Sequence, residues 1–458
     1  MTMLSLKDIT YLIPHATIHG DPSIVYERVL IDSRIVGPGD LFVALKGKNF
    51  DAHDFLYEAA SRGVAAALVC NTPPARLPIT TVEVIDTLSA LGALARDWRM
   101  RFSLPVVVVA GSNGKTTVKE MISSIFKVMV GDNARLATVD NFNNQIGLPL
   151  TLLRLNDAHR LAVIELGTSY PGETEILSSI AAPTISLINN AQREHQEFMV
   201  TVEAVALEHA SLIHALPKEG TAVFPADDPY SGIWYVAATG NRIIDFALQN
   251  DAKKINAQVT GRIIDGMLAI DTLAGSIVVR LSVLGIHNAR NALAATSVAL
   301  AANVTLSSIK AGLEMFEPIK KRLYLKRANV NGLQEVTIID DTYNANPDSM
   351  RAAIDVLAAQ PSPRVLIMGD MGESGEESLS FHREIGEYAY EQGIDMLYAI
   401  GPMSIEACFA YGESAQHFLN SNMLINALVS AGYPVGTTVL VKGSRHMNMD
   451  NIVDALTN

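Results

Sequence analysis

Apolar runs of four to six residues, each closed by glycine or a polar cluster, alternate along this chain with segments whose apolar positions fall three and four apart. The runs read as strands buried on both faces, and the spaced segments as helices laid over them. The alternation is sharpest at residues 106–120, VVVVAGSNGKTTVKE. Four β-branched residues predict a strand, Gly111, Ser112, Asn113 and Gly114 break it, and Val118, Met121, Ile122, Ile125 and Phe126 recur at helical spacing. Strand, glycine loop and helix, with Lys115 and Thr116 opening the helix, form the context of a phosphate-binding loop. Loop and helix N–H groups would face a phosphate chain, the lysine would reach its outer phosphates, and the threonine hydroxyl would hold magnesium. The full pattern wants a glycine where Val109 stands, and the alternative is a glycine turn without a ligand.

The same reading divides the chain into blocks 1–104, 105–318 and 319–458. In the first, strands at 26–31, 41–45 and 65–69 and a helix at 52–62 predict a small α/β unit. Asp32, Ser33, Arg34 and Lys46 fall at strand ends, where polar side chains either converge on a ligand or form solvated turns. In the second, the apolar run LAVIEL at 161–166 carries Glu165, and an acid at a strand end beside a phosphate loop commonly binds the nucleotide's magnesium. A strand at 184–190 leads to Arg193, Glu194 and His195, the histidine being either a surface or capping residue or a ligand or water-positioner. β-branched runs near Ile243, Val259, Ile263 and Ile277 predict antiparallel strands appended to a parallel sheet. Asn288 stands at the mouth of an alanine-rich helix, as an N-cap or as an amide reading adenine. In the third block, strands at 336–339, 365–368, 396–400 and 438–441 alternate with helices at 352–359 and 382–390. That pattern predicts a doubly wound, Rossmann-like sheet with ligand loops after its strands. Those loops are DDTYNANPDS, GDMGESGEES and KGSRHM; the last offers Lys442, Ser444 and Arg445 as an anion site or a solvated turn.

Composition narrows the partners. At 458 residues the chain suggests about three domains. A net charge of −13 argues against a broad nucleic-acid or anionic-membrane surface. Cys70 and Cys408 lie far apart with no CxxC, which argues for a reducing compartment and against a zinc site. No apolar run reaches the roughly 18 residues of a membrane helix, and MTMLSLKDIT lacks the order of a signal peptide. The expectation is a cytoplasmic protein without membrane insertion.

The chain resembles the Mur ligases, most closely those that add D-alanyl-D-alanine to a UDP-N-acetylmuramoyl tripeptide. The resemblance spans essentially the full length. It rests on DSRIVGPGDLFVALKG with DAHDF, GSNGKTTVKE, NFNNQIGLPLTLLRL, VIELGTSYPGE, LINNAQREH, PADD, HNARNALAA, DDTYNANPDSMRAA, GDMGESGEES and VKGSRHM, in shared order. It implies a UDP-substrate domain at 1–104, a central ATP-binding domain at 105–318 and a C-terminal ligase domain at 319–458. Ser33, Arg34 and Lys46 would then meet the uridine nucleotide, and Asn141, Asn144, Thr168 and Ser169 its sugar and peptide. Gly111, Ser112, Asn113, Gly114, Lys115, Thr116 and Thr117 would hold the ATP phosphates, Asn288 the adenine, and Arg322 and Asp341 the ribose or phosphates. Thr116, Glu165 and His195 would serve magnesium, with Lys115, Glu165 and His195 as the catalytic set. Asn344, Asn346, Lys442, Ser444 and Arg445 would surround the dipeptide. The resemblance further implies an acyl-phosphate intermediate; the expected partners are the two substrates, and the expected state is a monomer. Many Mur ligases carry a carbamylated lysine where this chain has His209, leaving Glu208 or His209 for a second magnesium. Runner-up readings are a ligase adding the third stem residue, a folylpolyglutamate-type ligase, a non-catalytic nucleotide-binding regulator, and a phosphotransferase.

Overall fold

Strands that are apolar on both faces need cover on both sides, and the chain supplies it around three main sheets. The computed structural model describes residues 3–47, 49–72, 76–249, 254–330, 333 and 335–457. The first sheet runs Thr17–His19, Thr80–Glu83, Ala66–Val69, Asp40–Val43 and Arg28–Leu30, parallel except for its first strand. The strand expected at 26–31 is two strands: Val25–Tyr26 pairs antiparallel with Leu4–Ser5, and Arg28–Leu30 joins the sheet. The partner changes at Glu27, whose N–H donates to Gly39 O at 2.7 Å. The expected helix at 52–62 starts as a 3-10 turn, Ala52–Phe55, capped by Asp51, and turns α-helical only over Leu56–Ser61. A helix missed in the sequence, Thr87–Met100, buries Leu91, Leu94, Ala95 and Trp98 in a core shared with the next sheet. Trp98 Nε1 donates to Leu155 O at 3.0 Å, fastening the two units together.

The central sheet runs Gly275–Val279, Met267–Thr272, Val259–Ile264, Arg242–Leu248, Thr221–Pro225, Ile185–Ile188, Val106–Ala110, Leu161–Glu165 and Arg135–Ala137. Only Met267–Thr272 runs against the others, pairing antiparallel with Val259–Ile264 and with Gly275–Val279. The expectation of an antiparallel strand at Ile243 is therefore corrected. A helix, Ser231–Ala237, buries Trp234 and carries the chain across, so Arg242–Leu248 enters parallel to Thr221–Pro225. Register sets the site. Val106–Ala110 lies between two parallel neighbours, with Glu165 opposite Val109 and Ile188 opposite Ala110, so all three strands deliver their loops to one end. Helix Lys115–Val130 buries Val118, Met121, Ile122, Ile125 and Phe126 as its spacing predicts. Each such side chain contributes about 1.5–3 kcal/mol on burial.

The third sheet runs Tyr324–Arg327, Thr337–Asp341, Thr438–Lys442, Arg364–Gly369, Met396–Ile400 and Ala415–Phe418, parallel except for the first. Helices cover both faces: Pro347–Ala358, Ser378–Glu391 and Ile405–Tyr411 on one, Ser421–Ala431 and Asp450–Thr457 on the other. The last strand inserts between the first two parallel strands, so the three polar loops noted above leave adjacent strand ends. Among the described residues no helix is long and apolar enough to cross a membrane.

Helices Ser378–Glu391 and Ile405–Tyr411 touch at Gly386, where an added Cβ would lie 2.1 Å from Ala407 O. Gly386→Ala is expected to destabilise the third unit by about 1–3 kcal/mol, read as a lower urea midpoint for its transition. An unchanged midpoint would show that the helices separate freely.

Candidate functional site

The glycine loop needs its glycines for two reasons. Gly111 and Gly114 have φ of +134° and +80°, and Cβ atoms there would lie 2.9 Å from Asn189 Cβ and 2.7 Å from Asn291 Oδ1. Side-chain amides hold the loop from behind. Asn113 N donates to Asn190 Oδ1 at 2.9 Å, and Asn113 O accepts from Asn189 and Asn190 at 2.8 and 2.9 Å. The chain continues from Asn189 to Asn291, from Asn291 to Asn288, and from Asn288 to Leu284 O at 2.7 Å. Asn288 is therefore not the helix N-cap, which is Gly285; its amide sits in the first turn of Ile286–Ala301 and reaches backwards.

Glu165 is 3% exposed. Its N–H donates to Thr138 Oγ1 at 2.9 Å, and its Oε1 accepts from Asn143 at 2.8 Å and Thr116 at 3.2 Å. Its Oε2 is buried without a partner. A bare buried carboxylate oxygen is costly unless a cation or donor takes it, so this atom marks an opening for a ligand. Arg322, from the segment leading into the third sheet, donates to Thr116 Oγ1 at 2.8 Å and lies 4.0 Å over the Tyr343 ring. Among the described residues no three His, Cys, Asp or Glu side chains converge as a metal cluster.

Glu194, 8% exposed, lies 3.4 Å from Lys115 Nζ and 3.2 Å from His209 Nε2. Burial pushes its pKa up, but Lys115, then His209 and His195, outweigh burial and hold it at about 2. Lys115 also donates to the carbonyls of Gly111 and Ser112, so it folds over its own loop. His195, with φ of +47°, lies 2.5 Å from Glu373 Oε2, across from the third sheet. That histidine holds the Glu373 carboxyl below its usual range.

A cleft of about 870 Å³ joins these groups. It brings together Ser112, Asn113, Gly114, Lys115, Thr116, Thr117, Glu165, His195, Asn288, Arg322, Asp341, Asn344, Asn346 and Lys442, all named from the sequence. Lys442 Nζ donates to Asp341 Oδ2 at 2.6 Å within the third sheet, and Asn346 Nδ2 donates to Asn113 Oδ1 at 2.9 Å, which brings that layer directly onto the glycine loop. Outside the cleft lining stand Gly111, Ser33, Arg34, Lys46, Asn141, Asn144, Thr168, Ser169, Ser444 and Arg445. Ser33 donates to Glu58, Arg34 pairs with Asp32, and Lys46 forms a backbone bridge with Asp51. Thr168 bonds Thr174, Ser169 N bonds Glu173, and Ser444 donates to Ala345 O. Asn144 caps the N–H groups of Ile146 and Gly147, leaving Asn143 as the asparagine on Glu165. Glu208 accepts from Gly172 N and Thr174 N, so it caps a helix rather than facing the cleft. Sequence reasoning assigned no role to Asn143, Glu194 or Asn291. Asn143 and Glu194 lie in loops that follow strands, and Asn291 lies inside an alanine-rich helix, where a buried amide is the one signal it gives.

Three family models match the chain: "Mur ligase family, catalytic domain" over residues 25–99, "Mur ligase middle domain" over 109–299, and "Mur ligase, glutamate ligase domain" over 322–445. The chain is 37% identical over 463 residues to a UDP-N-acetylmuramoyl-tripeptide--D-alanyl-D-alanine ligase of Haemophilus influenzae, covering 100% of this chain and 99% of that protein. A crystal structure of MurF from Acinetobacter baumannii superposes with a TM-score of 0.90 at 31% identity, covering 100% of this chain and 99% of that one. The Thermotoga maritima MurF ligase in complex with ADP gives a TM-score of 0.80 at 26% identity, covering 93% and 96%.

Thr116→Val keeps the shape but removes the hydroxyl shared by Glu165 and Arg322. ADP affinity, measured by calorimetry, is expected to fall about ten-fold while the unfolding midpoint moves little, as for one lost hydrogen bond to charged partners. Unchanged affinity would take Thr116 out of the nucleotide site.

Proposed function

The chain belongs to the Mur ligase family, and we propose that it joins D-alanyl-D-alanine to the terminal carboxylate of a UDP-N-acetylmuramoyl tripeptide, converting ATP to ADP and phosphate. The observation that carries this reading is the single cleft in which the glycine loop, the bare Glu165 oxygen and Arg322 and Lys442 from the far side meet.

A carboxylate acylates poorly, so it must first be activated. One of its oxygens bonds to the γ-phosphorus of ATP as the bond from that phosphorus to ADP breaks. Lys115 and Arg322 flank this step and offset the charge of two anions brought together. The amine of D-alanyl-D-alanine then attacks the acyl phosphate; the C–N bond forms, phosphate leaves, and the amine loses a proton. No side-chain nucleophile is needed. Water would destroy the acyl phosphate, and the seating of the third sheet's loops against the glycine loop keeps it out.

Thr116 and the free Glu165 oxygen would hold Mg2+, with phosphate oxygens and water taking its other positions, a fit for a hard cation that keeps few protein ligands. When bound, it would supply charge neutralisation at the phosphates. His195, 2.5 Å from Glu373 and 4.0 Å from Glu194, is proposed with Thr116 and Glu165 for Mg2+ and with Lys115 and Glu165 for the catalytic set. Ser33, Arg34 and Lys46 are proposed for the uridine nucleotide; Asn141, Asn144, Thr168 and Ser169 for the sugar and peptide; Asn344, Asn346, Ser444 and Arg445, with Lys442, for the dipeptide. Asn288 is proposed for adenine, and Asp341 for ribose. The partners are then small molecules, with no nucleic acid, and the protein is proposed to act as a cytoplasmic monomer.

Phosphate release from ATP should require both the UDP-tripeptide and D-alanyl-D-alanine. Release with only one of them would overturn the reading. Removing divalent cations with EDTA should stop turnover, and added Mg2+ restore it. Lys115→Ala should lower kcat at least about a thousand-fold with the fold intact by circular dichroism, as expected for a group that meets charge developing in the transition state. Retained turnover would remove the glycine loop from the chemistry.

A further inference from the structure

Arg193, which precedes Glu194 and His195 in the loop after Ile185–Ile188, gives every one of its guanidinium nitrogens to a carboxylate. Its backbone N–H donates to Asp348 Oδ2 at 2.8 Å, and its Nη2 to Asp348 Oδ1 at 2.7 Å. Its Nη1 donates to Glu384 Oε2 at 2.6 Å, and Nη2 also reaches Glu384 Oε1 at 3.1 Å. Phe381 lies under the guanidinium at 5.2 Å, and Arg351 donates to the same Glu384 at 3.0 Å. Asp348 opens helix Pro347–Ala358, and Glu384 sits on helix Ser378–Glu391, so both acids belong to the third sheet's layer. Arg193 follows a strand of the central sheet. The Arg193 side chain is 21% exposed, and all its guanidinium nitrogens already face carboxylates. It is therefore not free to receive phosphate.

The next two residues extend the contact. Glu194 lies on Lys115 of the glycine loop, and His195, in left-handed backbone, meets Glu373 of the third sheet's layer. Three consecutive residues thus face the third sheet, the phosphate lysine and the third sheet again. A left-handed φ at a non-glycine residue persists only where its surroundings hold it, and here the holders come from both sides of the cleft. Asn346, two residues before Asp348, pairs with Asn113 of the loop, so the same helix start grips the central domain twice.

We propose that Arg193 is a positioning residue that couples the seating of the C-terminal domain to the placement of Glu194 against Lys115. This rests on the ligase reading above. When the domain is seated, Asp348 and Glu384 fix the backbone at 193, and Glu194 is held where it sets the phosphate lysine. When the domain swings away, Arg193 loses both acids and Glu194 its fixed register. A guanidinium suits this task because its planar fork serves two carboxylates at once, which an ammonium cannot do with the same geometry.

The test uses the full-length protein with Arg193→Gln, Arg193→Lys, Glu384→Gln and the Arg193→Gln/Glu384→Gln double variant. Three quantities are read: kcat with both acceptor substrates, ADP affinity by calorimetry, and the radius of gyration by small-angle scattering with nucleotide. Arg193→Gln is expected to lower kcat about ten-fold, to leave ADP affinity within about two-fold, and to expand the scattering envelope, the size of effect typical of coupling between sites. Arg193→Lys should recover part of kcat, and the double variant should be no worse than Arg193→Gln alone. Glu384→Gln, on the other domain, gives the same reading should Arg193→Gln fail to fold. An unchanged kcat, an additive double variant, or ADP affinity falling in step with kcat would overturn the proposal, the last by making Arg193 a nucleotide contact. If the wild-type protein shows no acceptor-dependent turnover, the ligase reading fails separately; scattering and ADP binding still decide whether Arg193 couples the domains.

Discussion

Glu194 is a carboxylate almost fully removed from water, and the centre of the molecule is arranged around the cost of that removal. A buried charge is tolerated only beside an opposite charge or a set of donors. Lys115 and His209 supply the partners here. On the proposed function the consequence is also functional: Lys115 is aimed before a phosphate arrives, and an incoming anion would draw it from Glu194 and from the carbonyls of Gly111 and Ser112. Parallel register makes this possible. Because Val106–Ala110 lies between Leu161–Glu165 and Ile185–Ile188, the glycine loop, Glu165 and the 193–195 segment emerge together.

The site is shared between two layers of the chain. The Asn113–Asn346 amide pair, Arg322 on Thr116, and the Arg193 fork all cross from the central sheet to the third. Such a shared site suits an acyl phosphate, because closing one layer on the other excludes the water that would hydrolyse it. The bare Glu165 oxygen lies on the central side of this boundary, while Thr116 beside it takes the Arg322 contact from the far side, so the proposed cation site and the domain contact meet at one hydroxyl.

The glycine loop was legible because its signal is local: a β-branched run, two glycines and a helical period all lie within residues 106–126. Both glycines prove to be at positive φ and in close contact with asparagines, as a loop motif requires. The NFNN stretch was less legible. Spacing cannot say which asparagine faces inward, and Asn144 spends its carboxamide oxygen on its own helix start while Asn143 takes Glu165. The strand at 242–248 was misassigned for a related reason. Strand direction depends on the crossover that precedes it, and the short helix Ser231–Ala237 carries little apolar periodicity of its own.

By itself the sequence determined the α/β class, the strand–glycine loop–helix unit and the chain's membership in the Mur ligases, since each is written in local spacing or in motif order. Tertiary structure alone decided that Glu194 pairs with Lys115, that Asn143 holds Glu165, and that Arg193 spans the domains. Those contacts join residues up to 191 positions apart. Their geometry follows from which strands are neighbours and how deeply each charge is buried, and hydrophobic periodicity carries neither quantity.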